Sequence, residues 1–262
     1  MNYNLKRNRK YMKLNKVKKI FSIVIIVLVV FTLSFFITIE ASAKKTDDII
    51  EDFISRANFY KREGKTNYYK VSKKHDFEDT NNIIRDENYD YIGTTGDIYI
   101  TSTNFSPLLI TKYICKRLRC GHAGIVYSAG AKELYEIVGN KTREENVVKL
   151  YQNDWNDLTS FNETIVLRVK GIKDIGKDKI KEHLDSISGY KYNSFVLMHA
   201  KGAYYCTDLC TRSYEDALNI NIGKGIISTG CTMIESDNTY LIYYKREVNK
   251  EDIRYEVYFL GD

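Results

Sequence analysis

The sequence predicts an α+β fold, in which a small antiparallel sheet, or a half-barrel, packs against a helix that begins at Cys206. Three observations predict it. Several short runs of β-branched and aromatic residues lie between turn residues in the middle of the chain. Two of these runs are joined by a turn so short that it permits only an antiparallel hairpin. Segments with apolar residues at helical spacing flank the runs, so helices should cover the sheet.

The first 43 residues are typical of an export signal or a membrane anchor. Eight lysines and arginines and no acidic residue lie within residues 1–20, and the uncharged, almost wholly apolar run Ile20–Ile39 follows. The run is long for a cleaved signal and long enough to span a bilayer as a helix. The small residues that end at Ala43 slightly favour cleavage after that residue. Either alternative places the rest of the chain outside the cytoplasm, with the basic end inside.

The charge distribution argues against a nucleic-acid-binding protein. The net charge is +6, but removing the eight charges of residues 1–20 leaves −2 for the rest of the chain. The basic character therefore belongs to the N-terminus, and no aromatic and basic motif of an RNA or DNA module is present. We expect membrane contact through residues 20–39 and no nucleic-acid partner.

Residues 44–90 are expected to form a helix and a polar lead-in before the main domain. Apolar residues at helical spacing predict a helix over residues 46–62, with Thr46 as its N-cap. Residues 63–90 are polar and poorly patterned, which favours a linker. The main domain should therefore span residues 91–262.

The main domain contains the predicted sheet. Four strands of one antiparallel sheet are predicted at Gly96–Thr103, Gly121–Ser128, Lys132–Gly139 and Glu163–Gly171. Two further strands are predicted near the C-terminus, in the segments TYLIYYKR and RYEVYFLG. Helices are predicted over Lys177–Ser188 and from Cys206 onward.

Cys206 is the first candidate for chemistry, because it falls at the predicted start of a helix. The helix dipole and the unpaired backbone N–H groups favour a thiolate there, and the thiolate is the nucleophilic form of cysteine. The Cys206 backbone N–H, with the phenol of Tyr204 or Tyr205, could donate to an oxyanion. The chain has five cysteines, an odd number, so an exported form keeps at least one thiol outside disulfides. A buried cysteine that only packs is the alternative.

His122 is the preferred base among the four histidines. It opens a predicted strand between small residues that leave room for a neighbour, and a strand holds a side chain better than a loop does. His199, in a loop near Cys206, is the weaker rival, while His75 and His183 are expected at the surface. A hydrogen-bonded core histidine is the alternative for His122.

Glu136 is the candidate that would orient His122. It lies on the strand that should pair with the His122 strand, and the short turn places the two residues at nearby rungs of the hairpin. A catalytic histidine needs such a partner on its second ring nitrogen. Glu133 is the competitor, with the opposite parity along the strand. A merely solvent-exposed strand position is the alternative for Glu136.

The order of these motifs resembles that of the circularly permuted papain-like hydrolases. The segments are, in order, GDIYI, CGHAGIVY, LYEIVG, GYKYNSF and YYCTDLC, over roughly residues 91–240. They are similar to the YiiX-like branch of the NlpC-type superfamily, which is related to the lecithin:retinol acyltransferase-like enzymes. In that branch the histidine strand comes first, a polar orienting residue follows, and the catalytic cysteine comes last, at a helix start.

The resemblance implies three catalytic residues, Cys206, His122 and Glu136, and an acyl-enzyme intermediate with no cofactor or metal. Thr207 and Asp208 replace the family's usual Ser-Glu, and Asn193 stands where the family has an acid. Cys210, one turn after the nucleophile, is expected to pack.

The resemblance further implies amide or ester substrates. Export favours cell-wall peptides, and a lipid acyl substrate is the alternative. Two other classes stay open: an inert wall-binding module and a zinc site. The zinc site would draw on Cys115, Cys120, His122, Cys206 and Cys210, although C-x4-C-x-H is not a usual zinc spacing.

Overall fold

The computed structural model describes residues 2–81, 83, 92–103, 108–139, 145–155, 157–194, 200–223, 225 and 227–261. The chain divides into two compact units, Met1–Ala41 and Ser42–Asp262, which are called the N-terminal and the C-terminal unit below.

Helix α1 runs from Asn2 to Ser55, and its residues up to Ala41 form the N-terminal unit. From Lys18 onward it is the one helix, among the described residues, that is long and apolar enough to cross a membrane. This assignment rests on the length and the composition of the helix. They agree with the predicted signal or anchor, and the side of the membrane stays a prediction.

The prediction of a separate helix over residues 46–62 is wrong at both ends. α1 passes through Thr46 without a cap, because the residues before it are good helix formers with no Gly or Pro among them. The hydroxyls of Ser42 and Thr46 instead donate to Glu235 Oε1, over 2.7 and 3.2 Å. The helix then ends at Ser55, and a strand follows at residue 57.

The C-terminal unit contains all the described strands. In chain order they are β1 (Ala57–Glu63), β2 (Thr66–Ser72), β3 (Ile98–Thr101), β4 (His122–Val126), β5 (Glu133–Glu136), β6 (Lys149–Gln152), β7 (Glu163–Val169), β8 (Lys191–Tyr192), β9 (Ala203–Tyr204), β10 (Thr239–Glu247) and β11 (Tyr255–Gly261). Its further helices are α2 (Leu109–Leu118), α3 (Asp174–Ser186), α4 (Cys206–Leu218) and α5 (Gly230–Ile234). The predicted α+β class is confirmed.

Nine of these strands form one sheet among the described residues, in the order β1-β2-β11-β10-β7-β3-β4-β5-β6. The four predicted central strands are neighbours, and all their pairings are antiparallel. The β4–β5 hairpin is confirmed. The sheet is larger than the predicted small one and is mixed, because β2 and β11 pair in parallel. The short pair β8–β9 lies apart from it.

The segment that was expected to form a helix and a polar lead-in, residues 44–90, contains two strands of this sheet. β1 and β2 form an antiparallel hairpin, and the sheet thereby extends across the expected boundary before residue 91. Thr66, Tyr68 and Val71 of β2 are buried. The segment is polar in composition, yet its tyrosines and valine suit a strand that pairs on both sides. The partner that buries them, β11, lies almost two hundred residues away in the sequence.

The helix that begins at Cys206 packs against β4, as predicted, and α3 packs on α4. β3 lies at the centre of the core, where Ile98, Tyr99 and Ile100 have no exposed surface. The site residues of β4 and α4 are therefore carried by packed, regular elements.

A buried ion pair joins the turn before β3 to β7. The guanidinium of Arg168 donates to both carboxylate oxygens of Asp97, over 2.9 and 2.7 Å. Arg168 also donates to the backbone carbonyls of Asp79 and Asn81. Burial raises the pKa of Asp97 even though Arg168 opposes that shift.

We predict that Arg168→Met lowers the free energy of unfolding by about 3–5 kcal/mol, because it leaves the Asp97 charge buried without its partner. Urea unfolding of the full chain in detergent measures the loss. The matched control is Arg254→Met, whose side chain is 54% exposed and pairs with Glu247. That exposed pair should contribute less than about 1 kcal/mol. Equal losses in the two variants would contradict the prediction.

Candidate active site

Three elements bring the predicted catalytic residues together. His122 is the first residue of β4, Glu136 is the last residue of β5, and Cys206 is the first residue of α4. β4 and β5 pair directly, and α4 packs against β4. The sheet and one helix start therefore fix all three backbone positions.

The register of the hairpin selects Glu136 over Glu133. Glu136 pairs with Gly124, two residues from His122 and on the same face of β4. From there Glu136 Oε2 lies 2.8 Å from His122 Nε2. Glu133 lies three residues before Glu136 on the same strand and therefore points to the opposite face of the sheet. Its carboxylate accepts a hydrogen bond from Gln152 Nε2 over 3.4 Å at the surface.

Gly124 makes room for the Glu136 side chain. A Cβ atom at residue 124 would lie 2.9 Å from Glu136 Cγ, closer than real Cβ contacts come. The Glu136 side chain crosses this position, and its carboxylate bonds to His122. The missing side chain at position 124 therefore leaves a path for the partner of His122.

Trp155 completes the surroundings of the histidine, and the sequence did not predict it. Its indole Nε1 donates to Glu136 Oε1 over 2.6 Å, so each oxygen of the carboxylate has a partner. Its ring also stacks on the imidazole of His122, with centroids 5.4 Å apart and planes 19° apart. Trp155 is the only tryptophan of the chain and is buried within a polar segment, which is the one sequence signal that could have identified it.

A hydrogen bond to Cys206 is among the contacts that raise the pKa of His122, so the two side chains lie within reach of each other. Cys206 occupies the first turn of α4, after Tyr205 as N-cap, and no side chain caps the helix. The backbone N–H groups of a first turn have no partner within the helix, so that of Cys206 is a candidate oxyanion donor. None of the five cysteines forms a disulfide.

The contacts of His122 favour its protonated form. Burial lowers the pKa of the imidazole, but the hydrogen bonds that the ring donates to Cys206 and Glu136, and the charges of these groups, outweigh burial. Together they raise the pKa from the ordinary 6.5 to about 10. An imidazolium next to a cysteine is the arrangement that stabilises a thiolate.

The two tyrosines before Cys206 have other partners. The hydroxyl of Tyr205 accepts from the Ser228 N–H over 2.8 Å, and the Arg212 guanidinium lies 4.0 Å from the ring centroid of Tyr204. Burial raises the pKa of both phenols. Their role as oxyanion donors stays a prediction.

Tyr192 is a second residue that the sequence did not single out. Burial raises the pKa of its phenol, and the neighbouring thiols of Cys206, Cys115 and Cys120 add to the shift. Its ring packs so close to Gly139 that a Cβ there would lie 2.5 Å from it. Tyr192, the last residue of β8, therefore carries a protonated phenol whose electrostatic neighbours include the Cys206 thiol.

The remaining candidates are distributed around this centre. Asn193 is buried, and its N–H donates to the Tyr204 carbonyl over 2.7 Å. Cys210 is fully buried, as expected for a packing residue. His199 lies outside the described residues. Among the described residues, no group of three or more His, Cys, Asp and Glu side chains is arranged to hold a metal ion.

No model of a protein family matches the chain, and no curated protein is similar to it. Comparison with solved structures finds a crystal structure described as the metalloprotein yiiX from Escherichia coli O157:H7, DUF1105. The match has 17% identity and a TM-score of 0.44, and it covers 57% of this chain and 96% of that one. The relation to papain-like and NlpC-type enzymes stays a prediction.

We predict that Cys206→Ala lowers the pKa of His122 from about 10 toward or below 6.5, because it removes the largest contact that raises this pKa while burial remains. Histidine-selective NMR titration of the full chain in detergent micelles measures the shift. Cys210→Ala, one turn along the same helix, is the control and should leave His122 unchanged. Titration of His122 near 6.5 in the unmodified chain would contradict the prediction.

We predict that Gly124→Ala also lowers the pKa of His122, because the new Cβ pushes the Glu136 side chain out of its position. The same titration measures it. The control is Gly176→Ala in α3, where the added Cβ would come no closer than 3.3 Å to Ile172 Cγ2. An unchanged pKa in Gly124→Ala would show that Glu136 does not need this space.

Proposed function

We propose that the protein is an exported or membrane-anchored thiol hydrolase with Cys206 as the nucleophile. His122 serves as acid and base, and Glu136 orients the imidazole. The observation that carries the proposal is the set of partners of His122, whose Nε2 bonds to Glu136 and whose pKa is raised by a hydrogen bond to Cys206. Nucleophile, base and orienting carboxylate in contact are the arrangement of covalent acyl-transfer sites.

In the proposed reaction, the Cys206 sulfur adds to a substrate carbonyl carbon as the thiolate. The carbonyl oxygen takes up the negative charge and is bound by the Cys206 backbone N–H at the start of α4. When the tetrahedral intermediate collapses, His122 donates its proton to the leaving nitrogen or oxygen. An acyl-thioester remains, and water that transfers a proton to His122 hydrolyses it and restores the thiolate.

Glu136 and Trp155 would keep the imidazole in position throughout this cycle. The carboxylate bonds one ring nitrogen, and the indole both bonds the carboxylate and covers one face of the ring. With the ring fixed, the other nitrogen stays directed at the sulfur. The reaction needs only side chains and water.

The substrate class proposed is the amide bond of cell-wall peptides. The support is the N-terminal apolar helix with its basic flank, which would place the C-terminal unit on the outer side of a membrane. The second candidate is a lipid acyl bond, which the resemblance to the acyltransferase-like enzymes implies and which the same catalytic groups would cleave.

Incubation of the full chain in detergent with purified cell wall, and separately with labelled acyl lipids, distinguishes these substrates. The matched pair of variants is Cys206→Ala and Cys210→Ala, which remove a thiol from the same helix. Product released from the wall by the unmodified chain and by Cys210→Ala, but not by Cys206→Ala, supports the proposal. Release from neither substrate contradicts it.

We predict that Cys206→Ala lowers kcat/KM by ~10³-fold or more, and that His122→Ala costs nearly as much, because nucleophile and base act as one unit. Glu136→Gln should cost less, since it weakens the orientation of the ring and leaves both reacting groups. Ala at Cys115, Cys120 or Cys231 should largely keep activity. A larger loss in Glu136→Gln than in His122→Ala would reverse the roles assigned here.

Alkylation provides a readout that needs no substrate. Iodoacetamide reacts with the thiolate, so Cys206 should be labelled before the other cysteines at neutral pH, as mass spectrometry of the peptides would detect. His122→Ala should slow this labelling, whereas His183→Ala should not. An inert binding module would show no preference for Cys206.

A further inference from the structure

Helix α2 exposes large apolar side chains. Leu109 is 82% exposed and Ile110 is 56% exposed, both in the first turn, and Tyr113 is 40% exposed one turn later. Apolar side chains of this size seldom stand together on a surface without a function. α2 also leads directly to the candidate active site, because it ends four residues before His122.

The same face of α2 carries positive charge. Lys112 and Lys116 are exposed at i, i+4 spacing, next to Leu109 and Tyr113, and the helix contains no acidic residue. A short helix with apolar and cationic side chains on one exposed face is typical of helices that lie in the interface of an anionic membrane.

A cavity of about 630 Å³ adjoins this face. Five cationic residues line it, against two acidic ones; the cations are Lys112, Lys116, Arg117, Arg119 and Arg246, and the acids are Glu163 and Glu247. Asp47 pairs with Arg117 and Arg119, and Glu256 pairs with Arg246, so the two exposed lysines, Lys112 and Lys116, supply the positive charge that suits a phosphate group.

Arg119 gives this cavity a buried donor. Its side chain is only 10% exposed, and its Nε is buried without a hydrogen-bond partner. One of its terminal nitrogens donates to Asp47, and Glu163 Oε2 lies 3.8 Å from Nε. Burial opposes its charge, but Glu163 and Asp47 raise the pKa of Arg119, so it stays a cation.

We propose that α2 and the cavity beside it dock on an anionic phospholipid bilayer. The docking surface consists of Leu109, Ile110, Lys112, Tyr113 and Lys116, together with the cavity. Its apolar side chains enter the boundary between headgroups and acyl chains, about 5–10 Å deep, and its cations bind lipid phosphates. Charge complementarity argues for this partner, because every cation of α2 lies on or beside the apolar face.

The test places a fluorophore on this surface in the full chain, reconstituted into nanodiscs that contain brominated lipids. Leu109→Trp reports contact with acyl chains, because bromine quenches a nearby indole. Ile175→Trp is the matched control, since Ile175 is 75% exposed on α3. The unmodified chain supplies the background from Trp155, which is buried.

We expect quenching of Trp at position 109, and not at position 175, in nanodiscs that contain phosphatidylglycerol, with little quenching in phosphatidylcholine alone. Each lysine near an anionic surface contributes about fivefold to binding, so Lys112→Gln with Lys116→Gln should lower the ratio of docked to undocked protein roughly 25-fold. Lys173→Gln with Lys179→Gln removes the same charge from exposed positions around α3 and should leave the ratio unchanged.

Two results would overturn the proposal. Equal quenching at positions 109 and 175 would mean that the C-terminal unit contacts lipid without a preferred surface. Calorimetric binding of inorganic phosphate that depends on Lys112 and Lys116, without quenching at position 109, would identify the cavity as a site for soluble anions. None of these readouts involves turnover, so they stay valid whether or not Cys206 is a nucleophile.

Discussion

The Glu136 carboxylate is the group on which the arrangement of the candidate site depends. It is buried, and a buried carboxylate is tolerated only when donors replace the water that it loses. His122 supplies a donor to one oxygen and Trp155 supplies a donor to the other. The two rings are therefore held together by their common partner, and their stacking follows from it. The imidazole is thus fixed through Nε2, and Cys206 is its other hydrogen-bonding neighbour.

The sheet fixes the backbone positions from which His122 and Glu136 reach each other. His122 and Glu136 lie on the paired strands β4 and β5, and β4 pairs on its other edge with the fully buried β3. Cys206 enters from α4, which packs on β4. All three side chains of the candidate site are thereby carried by regular elements rather than loops, and regular elements hold side-chain positions most accurately.

The sequence predicted correctly those features that depend on residues close together in the chain. The hairpin turn, the helix start at Cys206 and the pairing of a His122 strand with a Glu136 strand all depend on residues close together in the chain. The choice between Glu136 and Glu133 required the register of the β4–β5 pair, because a shift of one residue would turn each side chain of β5 to the opposite face of the sheet. β2 was missed because its burial depends on β11, at the other end of the chain. Trp155 was missed because a single aromatic residue in a polar segment carries no periodicity. Tyr192 lies within the segment GYKYNSF, on which the resemblance rests, but nothing in that segment indicated that its phenol would lie close to the thiols.

The space at Gly124 has a consequence for how such a site can change over generations. Any side chain at this position would meet Glu136 Cγ, so the glycine and the glutamate opposite it occupy one shared volume. Substitutions at the two positions cannot be independent in their effects. Among descendants of this chain, a larger residue at position 124 should appear only where position 136 has already given up its carboxylate, and with it the constraint on His122. Position 136 can therefore change alone, whereas position 124 can change only after it.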